Sequence, residues 1–191
     1  MVNGRVVILN GASSAGKTTI AEKFVAERAS RGEWWLAVAL DDFLAKLVPE
    51  WFAAPDHSGE FATEGVRFVP SSLGLAVELG PDGRRLLTLF RTMVADAARL
   101  GFDVIVDEVM FDATAVDEWH TTLVGLDVTW VAVRCDADVA EAREATRGDR
   151  YIGLARALTD VVHRHATYDI DLDTTDTSAD ELVSRLDAAL G

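Results

Sequence analysis

The feature of the sequence that most constrains the fold is a loop bounded by glycines, which joins a short apolar run to a lysine and two threonines. The apolar run extends from Arg5 to Leu9 and is rich in β-branched residues, as buried parallel strands are. Apolar residues at helical spacing begin directly after the loop. The loop fits the pattern G-x-x-x-x-G-K-[ST] without a gap, through Gly11, Ala12, Ser13, Ser14, Ala15, Gly16, Lys17 and Thr18, and Thr19 follows it.

Each residue type in this loop suits the binding of nucleotide phosphates. Small residues let successive backbone N–H groups point at an anion, and the following helix adds the positive end of its dipole. Lys17 can reach the β- and γ-phosphates, and the hydroxyl of Thr18 can bind Mg²⁺. The alternative is an ordinary glycine turn that caps a helix. The order of strand, loop and helix favours a nucleotide site.

The rest of the sequence predicts one α/β domain over residues 1–191, with neither internal repeat nor linker. Strands are expected at Trp35 to Leu40, Val104 to Val106, Val128 to Arg134 and Tyr168 to Leu172. Alternating strands and helices are typical of a parallel sheet with helices on both faces. Helices are expected after the glycine loop, at 43–48, at 84–100, from Asp138 onward, and after a capping box at Ser178–Glu181.

Residues 50–82 show no sustained period and contain three of the four prolines. Such a segment is too long for an idle loop in a compact chain, and long loops are commonly lids or binding segments. Its aromatic side chains could line a pocket for an acceptor molecule, or they could pack as ordinary core. They are Trp51, Phe52, His57, Phe61 and Phe68.

Charge and cysteine content limit the partners and the compartment. Eighteen basic and 32 acidic side chains leave a formal net charge of −14, which argues against nucleic acid and anionic membranes as partners. The single cysteine, Cys135, suits a reducing compartment. The first residues do not fit a signal peptide, and no run approaches the roughly 18 apolar residues of a membrane-spanning helix. We therefore expect a cytoplasmic protein, and its oligomeric state is open.

Acidic residues end two of the predicted strands. Asp41 follows the second strand, at the sheet edge where α/β proteins bind ligands, and its carboxylate could accept a proton from an attacking hydroxyl. Alternatively, Asp41 or Asp42 could cap the next helix. Asp107 and Glu108 follow the third strand, where either could approach a metal ion or face solvent as a loop acid.

Three arginines, Arg143, Arg147 and Arg150, are spaced i, i+4, i+7 and so share one face of a predicted helix. A glycine lies among them and would let the chain turn. In an acidic protein this stripe suggests a lid over residues 143–153 that closes over phosphates. The alternative is a surface face on which the arginines pair with neighbouring glutamates.

The nucleotide-binding loop leaves several protein classes to consider. The N-K-x-D base-recognition motif of switch GTPases does not occur in the sequence, and the chain is short for a motor or a transporter ATPase. A kinase of small molecules is favoured. A nucleotide-dependent regulatory module without an acceptor stays open as an alternative.

Several segments together resemble the chloramphenicol phosphotransferases and their close relatives. The longest and most specific is WVAVRCDADVAEAREATRGDR at 130–150. Residues 50–82 fall outside the resemblance. The other segments are ILNGASSAGKT at 8–18, WLAVALD at 35–41, DVIVDEV at 103–109, VVH at 161–163 and YDIDLDTT at 168–175.

The resemblance implies a P-loop kinase fold, in which a five-stranded parallel sheet is flanked by helices and carries an arginine-bearing lid. It implies ATP- and Mg²⁺-dependent transfer of the γ-phosphoryl group to a hydroxyl of a small molecule. Chloramphenicol or another antibiotic is the implied acceptor, with resistance by modification as the role. A nucleoside, a sugar or another metabolite is the alternative acceptor, because residues 50–82, the expected acceptor-binding segment, do not match.

The resemblance also assigns roles to individual residues. It places the catalytic base at Asp41 and Thr18 at the metal ion. Asp107 and Glu108 stay candidates for the metal from their position after the third strand, where this chain has Asp-Glu and the family has Asp-Asp. The residues implied to stabilise charge on the phosphates are Lys17, Arg143, Arg147 and Arg150.

Overall fold

A computed structural model of the chain describes residues 2–54, 57–71, 74–147, 153–159 and 161–191. The strands are β1 (Arg5–Asn10), β2 (Trp35–Ala39), β3 (Phe52–Ala54), β4 (His57–Ser58), β5 (Val66–Ser71), β6 (Gly74–Leu79), β7 (Asp103–Glu108), β8 (Asp127–Arg134) and β9 (Ile170–Asp173). The helices are α1 (Lys17–Ser30), α2 (Leu40–Leu44), α3 (Pro81–Arg99), α4 (Ala113–Thr122), α5 (Ala137–Arg147), α6 (Leu154–Thr159) and α7 (Ala179–Leu190). Among the helices so described, none is both long enough and apolar enough to cross a membrane.

The main sheet contains five parallel strands in the order β2–β7–β1–β8–β9. The central strand β1 is buried on both sides, because side chains alternate between the two faces of a strand. Val7 and Leu9 pack in the layer that contains α1, α5 and α7, whereas Val6 and Ile8 pack with α3 and α4. The predicted five-stranded parallel sheet flanked by helices is confirmed.

A second sheet is built from the segment for which the sequence predicted no regular structure. Its four strands have the order β4–β3–β5–β6, and β5 and β6 are antiparallel. Arg67 and Glu78 are opposite each other in the register and form an exposed ion pair. The residues on either side of Arg67 and Glu78 lie on the opposite face of the sheet, which is apolar. One residue of β3 pairs with β5 and joins this face. The apolar residues of the face are Phe52, Val66, Phe68, Val77 and Leu79.

Three helices differ from the sequence prediction. The helix expected at 43–48 instead begins at Leu40, directly at the end of β2. Neither α4 nor α6 was predicted; α6 is only six residues long, too short to display a helical period. The helix α4 does carry a local start signal, because the carboxylate of Asp112 accepts a 2.7 Å hydrogen bond from the backbone N–H of Ala115.

Candidate active site

The glycine loop connects the carboxyl end of β1 to the first turn of α1. Gly16 has φ +95° and Ser14 has φ +59°, so both adopt the left-handed conformation. A Cβ atom on Gly11 would lie 2.3 Å from the carbonyl oxygen of Val133 on β8, which is too close for any side chain. The loop therefore needs glycine at Gly16 for its conformation and at Gly11 for its packing.

The loop buries two serine hydroxyls that lack a protein partner and one lysine that has partners. The hydroxyls of Ser13 and Ser14 are buried and have no hydrogen-bond partner in the described part of the chain. The side chain of Lys17 is only 6% exposed, and its Nζ donates a 2.9 Å hydrogen bond to the carbonyl of Ala12 in the same loop. Buried polar groups normally have partners, so this loop fits a polyanion that would occupy its open donors.

Asp107, the fifth residue of β7, contacts both side chains that begin α1. Its Oδ2 accepts a 2.5 Å hydrogen bond from the hydroxyl of Thr18, and its Oδ1 lies 3.4 Å from Nζ of Lys17. Among the residues described, no group of three or more histidine, cysteine or acidic side chains could hold a metal ion. A hydroxyl and one carboxylate fit Mg²⁺, which commonly takes one or two protein ligands together with phosphates and water.

Glu108 lies elsewhere. It is 2% exposed, its Oε1 accepts a hydrogen bond from the N–H of Val109, and its Oε2 accepts one from Nε1 of Trp119, both at 2.8 Å. Burial raises the pKa of Glu108, and the positive charge of Arg91 offsets part of that shift. Because neighbouring residues of a strand point to opposite faces, Asp107 lies at the loop and Glu108 does not. The placement therefore does not support Glu108 as a metal ligand.

Asp41 lies in the first turn of α2, where β2 ends at the same edge of the sheet as β1 and β7. The N-cap residue of α2 is Ala39, so neither Asp41 nor Asp42 is the capping residue that the alternative interpretation required. Asp41 lines the same cavity as Lys17, Thr18 and Asp107.

This cavity, the main cavity, has a volume of about 650 Å³. Its lining includes residues of the glycine loop, Asp41 and the apolar face of the second sheet. Phe52 and Phe68 on that face have ring centroids 5.4 Å apart. Further large apolar side chains come from α2 and the residues after it, from α3 and α6, and from the segment after β7. They are Leu40, Leu44, Leu47, Leu87, Val109, Phe111, Leu154 and Leu158.

Some aromatic residues of the 50–82 segment line the main cavity, and others pack as ordinary core, which are the two roles considered from the sequence. Phe52, Phe68 and His57 line the main cavity. Trp51 and Phe61 instead pair with each other, with ring centroids 5.4 Å apart, and belong to the packing of the segment itself.

Of the three arginines, Arg143 is the one whose side chain is described. It donates hydrogen bonds of 3.1 Å and 2.8 Å to the hydroxyl and the carbonyl of Thr174. The Thr174 hydroxyl in turn donates a 2.8 Å hydrogen bond to the carbonyl of Ala15, so Arg143 is linked to the glycine loop through one residue. Arg147 ends α5, whereas its side chain and all of Arg150 lie outside the described part of the chain.

The glutamates next to Arg143 have other partners. Glu144 is 1% exposed, and its two oxygens accept hydrogen bonds of 2.6 Å and 2.8 Å from the N–H groups of Gly153 and Ala155 at the beginning of α6. Glu141 pairs with Arg156 at 2.8 Å. The described contacts therefore place Arg143 at the loop and not in a surface ion-pair face.

A smaller outer cavity of about 290 Å³ lies beside the loop, near α1 and α5. Ser14 and Gly16 line both this cavity and the main cavity, so the loop lies between the two. The other polar side chains of the outer cavity are Thr19, Arg143, Thr146, Thr174 and Thr177.

The sequence analysis missed Asn10, which ends β1 directly before the loop. Its side chain is fully buried and donates 2.7 Å and 2.6 Å hydrogen bonds to the carbonyl of Val162 and the hydroxyl of Tyr168. Its Oδ1 accepts a 2.9 Å hydrogen bond from the N–H of Met110. Asn10 thus fixes the base of the loop to two other segments, and a buried amide at the end of an apolar strand is the signal that could have revealed it.

Comparison with known proteins agrees with this geometry. A curated Mycobacterium tuberculosis (strain H37Rv) protein named "Putative O-phosphotransferase" is 31% identical over 198 residues, which cover 97% of this chain and 82% of the relative. The fold is similar to that of the Mycobacterium tuberculosis APS kinase CysC, with a TM-score of 0.66, 18% identity and coverage of 100% of this chain and 99% of the kinase. A gluconokinase from Sinorhizobium meliloti gives a TM-score of 0.60 and 16% identity, with coverage of 99% and 92%.

At these identities the two solved structures show the fold, which is that of P-loop kinases. The family model described as chloramphenicol phosphotransferase-like protein matches residues 4–190, nearly the whole chain. The resemblance stated from the sequence is thereby confirmed, and a kinase-like phosphotransferase is supported by family and fold together. The chain belongs to the chloramphenicol phosphotransferase-like protein family.

Proposed function

We propose that this protein transfers the γ-phosphoryl group of ATP to a hydroxyl group of a small, largely apolar molecule, with Mg²⁺ as its metal ion. The observation that carries the proposal is the main cavity. Its lining contains the glycine loop, Asp41 and many apolar side chains. Donor phosphates and an acceptor alcohol could therefore meet in one cavity, as phosphoryl transfer requires.

The residues at and near the glycine loop would have different roles in the reaction. Asp41 would accept the proton of the acceptor hydroxyl as its oxygen attacks phosphorus. Lys17, now in contact with Ala12 and Asp107, would donate to the oxygens of the transferred group. Thr18 and Asp107 would hold Mg²⁺, which would supply positive charge to the phosphate groups.

The outer cavity is the proposed place for the nucleoside part of ATP. It lies on the other side of the loop from Asp41, and it is lined by threonines and by Arg143. Arg143 would hold Thr174 and the loop in place and lend positive charge near the phosphates. We keep Arg147 and Arg150 as candidates for the same charge, since they follow Arg143 at helical spacing.

The wall of the main cavity favours an acceptor with a ring-bearing, apolar body. Five apolar side chains of the second sheet and ten apolar residues from other segments line it. A polyhydroxylated sugar would find few hydrogen-bond partners on such a wall, and its buried hydroxyls would lose water without compensation. Chloramphenicol or another hydroxylated antibiotic is therefore the first acceptor class to test, with antibiotic resistance as the proposed role.

The test is phosphate transfer by the purified protein with ATP and Mg²⁺. Hydroxylated antibiotics including chloramphenicol, nucleosides and sugars would be supplied one at a time, and products would be checked by mass for one added phosphate. We expect a phosphorylated product from the antibiotic group. Phosphorylation of a sugar or a nucleoside alone would show that the acceptor belongs to that class and is not an antibiotic. Nucleotide binding without transfer to any compound would count against the kinase and favour a regulatory module.

A further inference from the structure

Helix α6 contacts both the glycine loop and the second sheet. Leu154 and Leu158 of this helix line the main cavity, and Leu158 packs in one apolar cluster with Ala12 of the loop. The same helix lies against β6. Because the two sheets share no backbone pairing in the described part of the chain, α6 is one of the elements that set the distance between the second sheet and the loop.

Glu144 of α5 anchors the beginning of α6. Its carboxylate is buried, and Oε2 accepts a 2.6 Å hydrogen bond from the N–H of Gly153. Oε1 accepts a 2.8 Å hydrogen bond from the N–H of Ala155, which is itself fully buried. N–H groups at the start of a helix have no partner within the helix, and hydrogen bonds to a carboxylate are stronger than those to a neutral acceptor. Glu144 therefore holds the first turn of α6 against α5.

A second link between the same two helices is exposed to solvent. Glu141 of α5 pairs with Arg156 of α6 at 2.8 Å, and 43% of the Glu141 side chain is exposed. Asp138 pairs with the same arginine. Exposed ion pairs are screened by water and contribute little to stability. The buried carboxylate of Glu144 is therefore the link that we expect to fix the position of α6.

The neighbouring residue, Arg143, makes its contacts at a different place. It donates to Thr174, whose hydroxyl donates to the carbonyl of Ala15 in the glycine loop. Arg143 and Thr174 both line the outer cavity. Two consecutive residues of α5 thus support different parts of the site, because Arg143 supports the loop beside the outer cavity and Glu144 supports a wall of the main cavity.

We propose that Glu144 is a positioning residue for the acceptor, because its carboxylate fixes α6 and α6 in turn fixes the second sheet relative to the glycine loop. This inference rests on the proposed function, which assigns the main cavity to the acceptor. Glu144 lines neither the main cavity nor the outer cavity, so it acts through α6 and not by contact with a substrate. A displaced α6 would move Leu154 and Leu158 and with them the acceptor, and small errors in the placement of reacting atoms slow a reaction strongly.

The kinetic test compares Glu144→Gln with the wild type. The acceptor is chloramphenicol, or the compound of the antibiotic, nucleoside and sugar panel that the wild type phosphorylates. Glutamine has one acceptor oxygen, so one of the two N–H groups of α6 would face an NH₂ group. We expect KM for the acceptor to rise by about 10- to 100-fold, as for a lost hydrogen bond to a charged group, while KM for ATP stays nearly constant. A smaller folded fraction alone would lower the apparent kcat and change neither KM.

Glu144→Asp is the second variant, and it keeps the charge and both acceptor oxygens if Glu144→Gln does not fold. Its side chain is one methylene shorter, so α6 must move towards α5 to keep both hydrogen bonds. KM for the acceptor should rise here too, with KM for ATP unchanged. An acceptor KM equal to that of the wild type would overturn the proposal.

The matched control is Glu141→Gln. It removes an exposed contact to Arg156 on the same pair of helices, while Asp138 keeps its own contact. Both KM values should equal those of the wild type. A rise in acceptor KM as large as that in the Glu144 variants would show that any link between α5 and α6 has this effect, and it would overturn the specific role of Glu144.

Amide hydrogen exchange tests the anchor without acceptor or nucleotide. In the Glu144 variants the amides of Gly153 and Ala155 and those of β6 should exchange faster than in the wild type. The amide of Ile20, which donates to Gly16 at the start of α1, should exchange at the wild-type rate. Faster exchange in α6 with no change in β6 would show that α6 does not position the second sheet, and it would overturn the proposal.

The two measurements separate this inference from the proposed function. Changed exchange in both α6 and β6, without phosphorylation of any compound by the wild type, would retain the anchor of the cavity and reject the kinase function. Phosphorylation with an unchanged acceptor KM in the Glu144 variants would retain the kinase and reject the positioning role. Neither phosphorylation nor changed exchange would reject both.

Discussion

The hydroxyl of Thr18 donates to one oxygen of Asp107, at 2.5 Å, while the ammonium of Lys17 lies 3.4 Å from the other oxygen. One carboxylate on β7 thus contacts both functional side chains at the beginning of α1. Since Lys17 also donates to its own loop, the positions of these groups depend on one another. Binding of phosphates would draw Lys17 away from Asp107 and leave that carboxylate for a metal ion.

Asp107→Asn should weaken catalysis because it lowers the affinity for the metal ion, without changing the stability of the fold. Asparagine can still accept the hydrogen bond of Thr18, but it lacks the negative charge that attracts Mg²⁺. We expect the Mg²⁺ requirement to rise and activity at limiting Mg²⁺ to fall by about 10- to 100-fold, as for loss of a metal-site partner. The measurement is initial rate against Mg²⁺ concentration at saturating ATP.

The control for this variant is Asp103→Asn at the other end of the same strand. Asp103 pairs with Arg5 at 2.7 Å and lies far along β7 from the loop. It should alter stability without altering the Mg²⁺ dependence. An unchanged Mg²⁺ curve in Asp107→Asn would remove Asp107 from the metal site.

Asp41→Asn should separate binding from chemistry. Asparagine has nearly the same shape but cannot accept a proton, so transfer should fall by about 10²- to 10⁴-fold while ATP binds normally. Rapid-quench measurement of phosphate transfer and calorimetric titration of nucleotide would check the two parts. Asp42→Asn, one residue along the same cavity, is the comparison and should lose far less. Equal losses in the two variants would argue for an electrostatic effect of the acidic pair and against a base at Asp41.

Arg143→Lys should weaken nucleotide affinity more than acceptor affinity. Lysine keeps the charge but cannot make the two hydrogen bonds to Thr174, so the support of the Ala15 carbonyl becomes looser. We expect KM for ATP to rise about tenfold, with KM for the acceptor nearly constant. Arg134→Lys is the control, because Arg134 is exposed and pairs with Asp171. A change in acceptor KM alone would contradict the link between Arg143 and the loop.

Gly11→Ala should destabilise the fold more than Gly32→Ala. A Cβ on Gly11 would lie 2.3 Å from a backbone oxygen of Val133, and such overpacking costs about 1–3 kcal/mol or more. Gly32 has φ +79° but no heavy atom within 4 Å of its added Cβ in the described structure, so it should cost only the left-handed conformation, about 1–2 kcal/mol. Urea unfolding would give both values, and nucleotide binding should be lost only in Gly11→Ala.

Glu108→Gln should change how stability depends on pH. Burial raises the pKa of Glu108, so the folded protein holds this proton more tightly than the unfolded chain does. The contribution of Glu108 is then complete below its unfolded pKa and is lost as pH rises through the folded pKa, at about 1.4 kcal/mol for each unit of the shift. Glutamine does not titrate. The free energy of unfolding of the wild type, relative to Glu108→Gln, should therefore fall as the pH rises above the ordinary pKa of a glutamate side chain.

Urea unfolding at several pH values would measure this difference. Glu22→Gln on the exposed side of α1 serves as the control for removal of an acidic group. A wild-type advantage that stays constant across the pH range would show that Glu108 keeps an ordinary pKa despite its burial.

The main sheet could be predicted because most of its strands are apolar runs separated by helical patterns, and the adjacent strands β1 and β7 are almost completely buried. The second sheet could not. Its strands are two to six residues long, and prolines interrupt the segment. Pairings such as Phe52 with Val66 join residues with no common local pattern. Only the register shows that five of its apolar residues lie on one face.

The site residues that belong to a local sequence motif could be predicted, and the others could not. A spacing motif identified Lys17 and Thr18. No local pattern shows whether Asp107 or Glu108 lies at the loop, because that depends on the face of β7 on which each side chain lies. Glu144 gave no signal of its burial, since a glutamate on an amphipathic helix is normally exposed and this one is buried at the beginning of α6. Long-range packing, which the sequence does not display, determines both.

The second sheet shares no backbone pairing with the main sheet in the described structure. Its apolar cavity side chains lie on three separate strands, whereas the loop, Asp41 and Asp107 belong to the first sheet and its helices. Substitutions among those apolar side chains could therefore change which acceptor the protein binds, while the residues that bind phosphate stay the same. Such an arrangement lets a lineage of these enzymes diversify its targets by drift in one small region, and it offers the same region as the starting point for directed evolution.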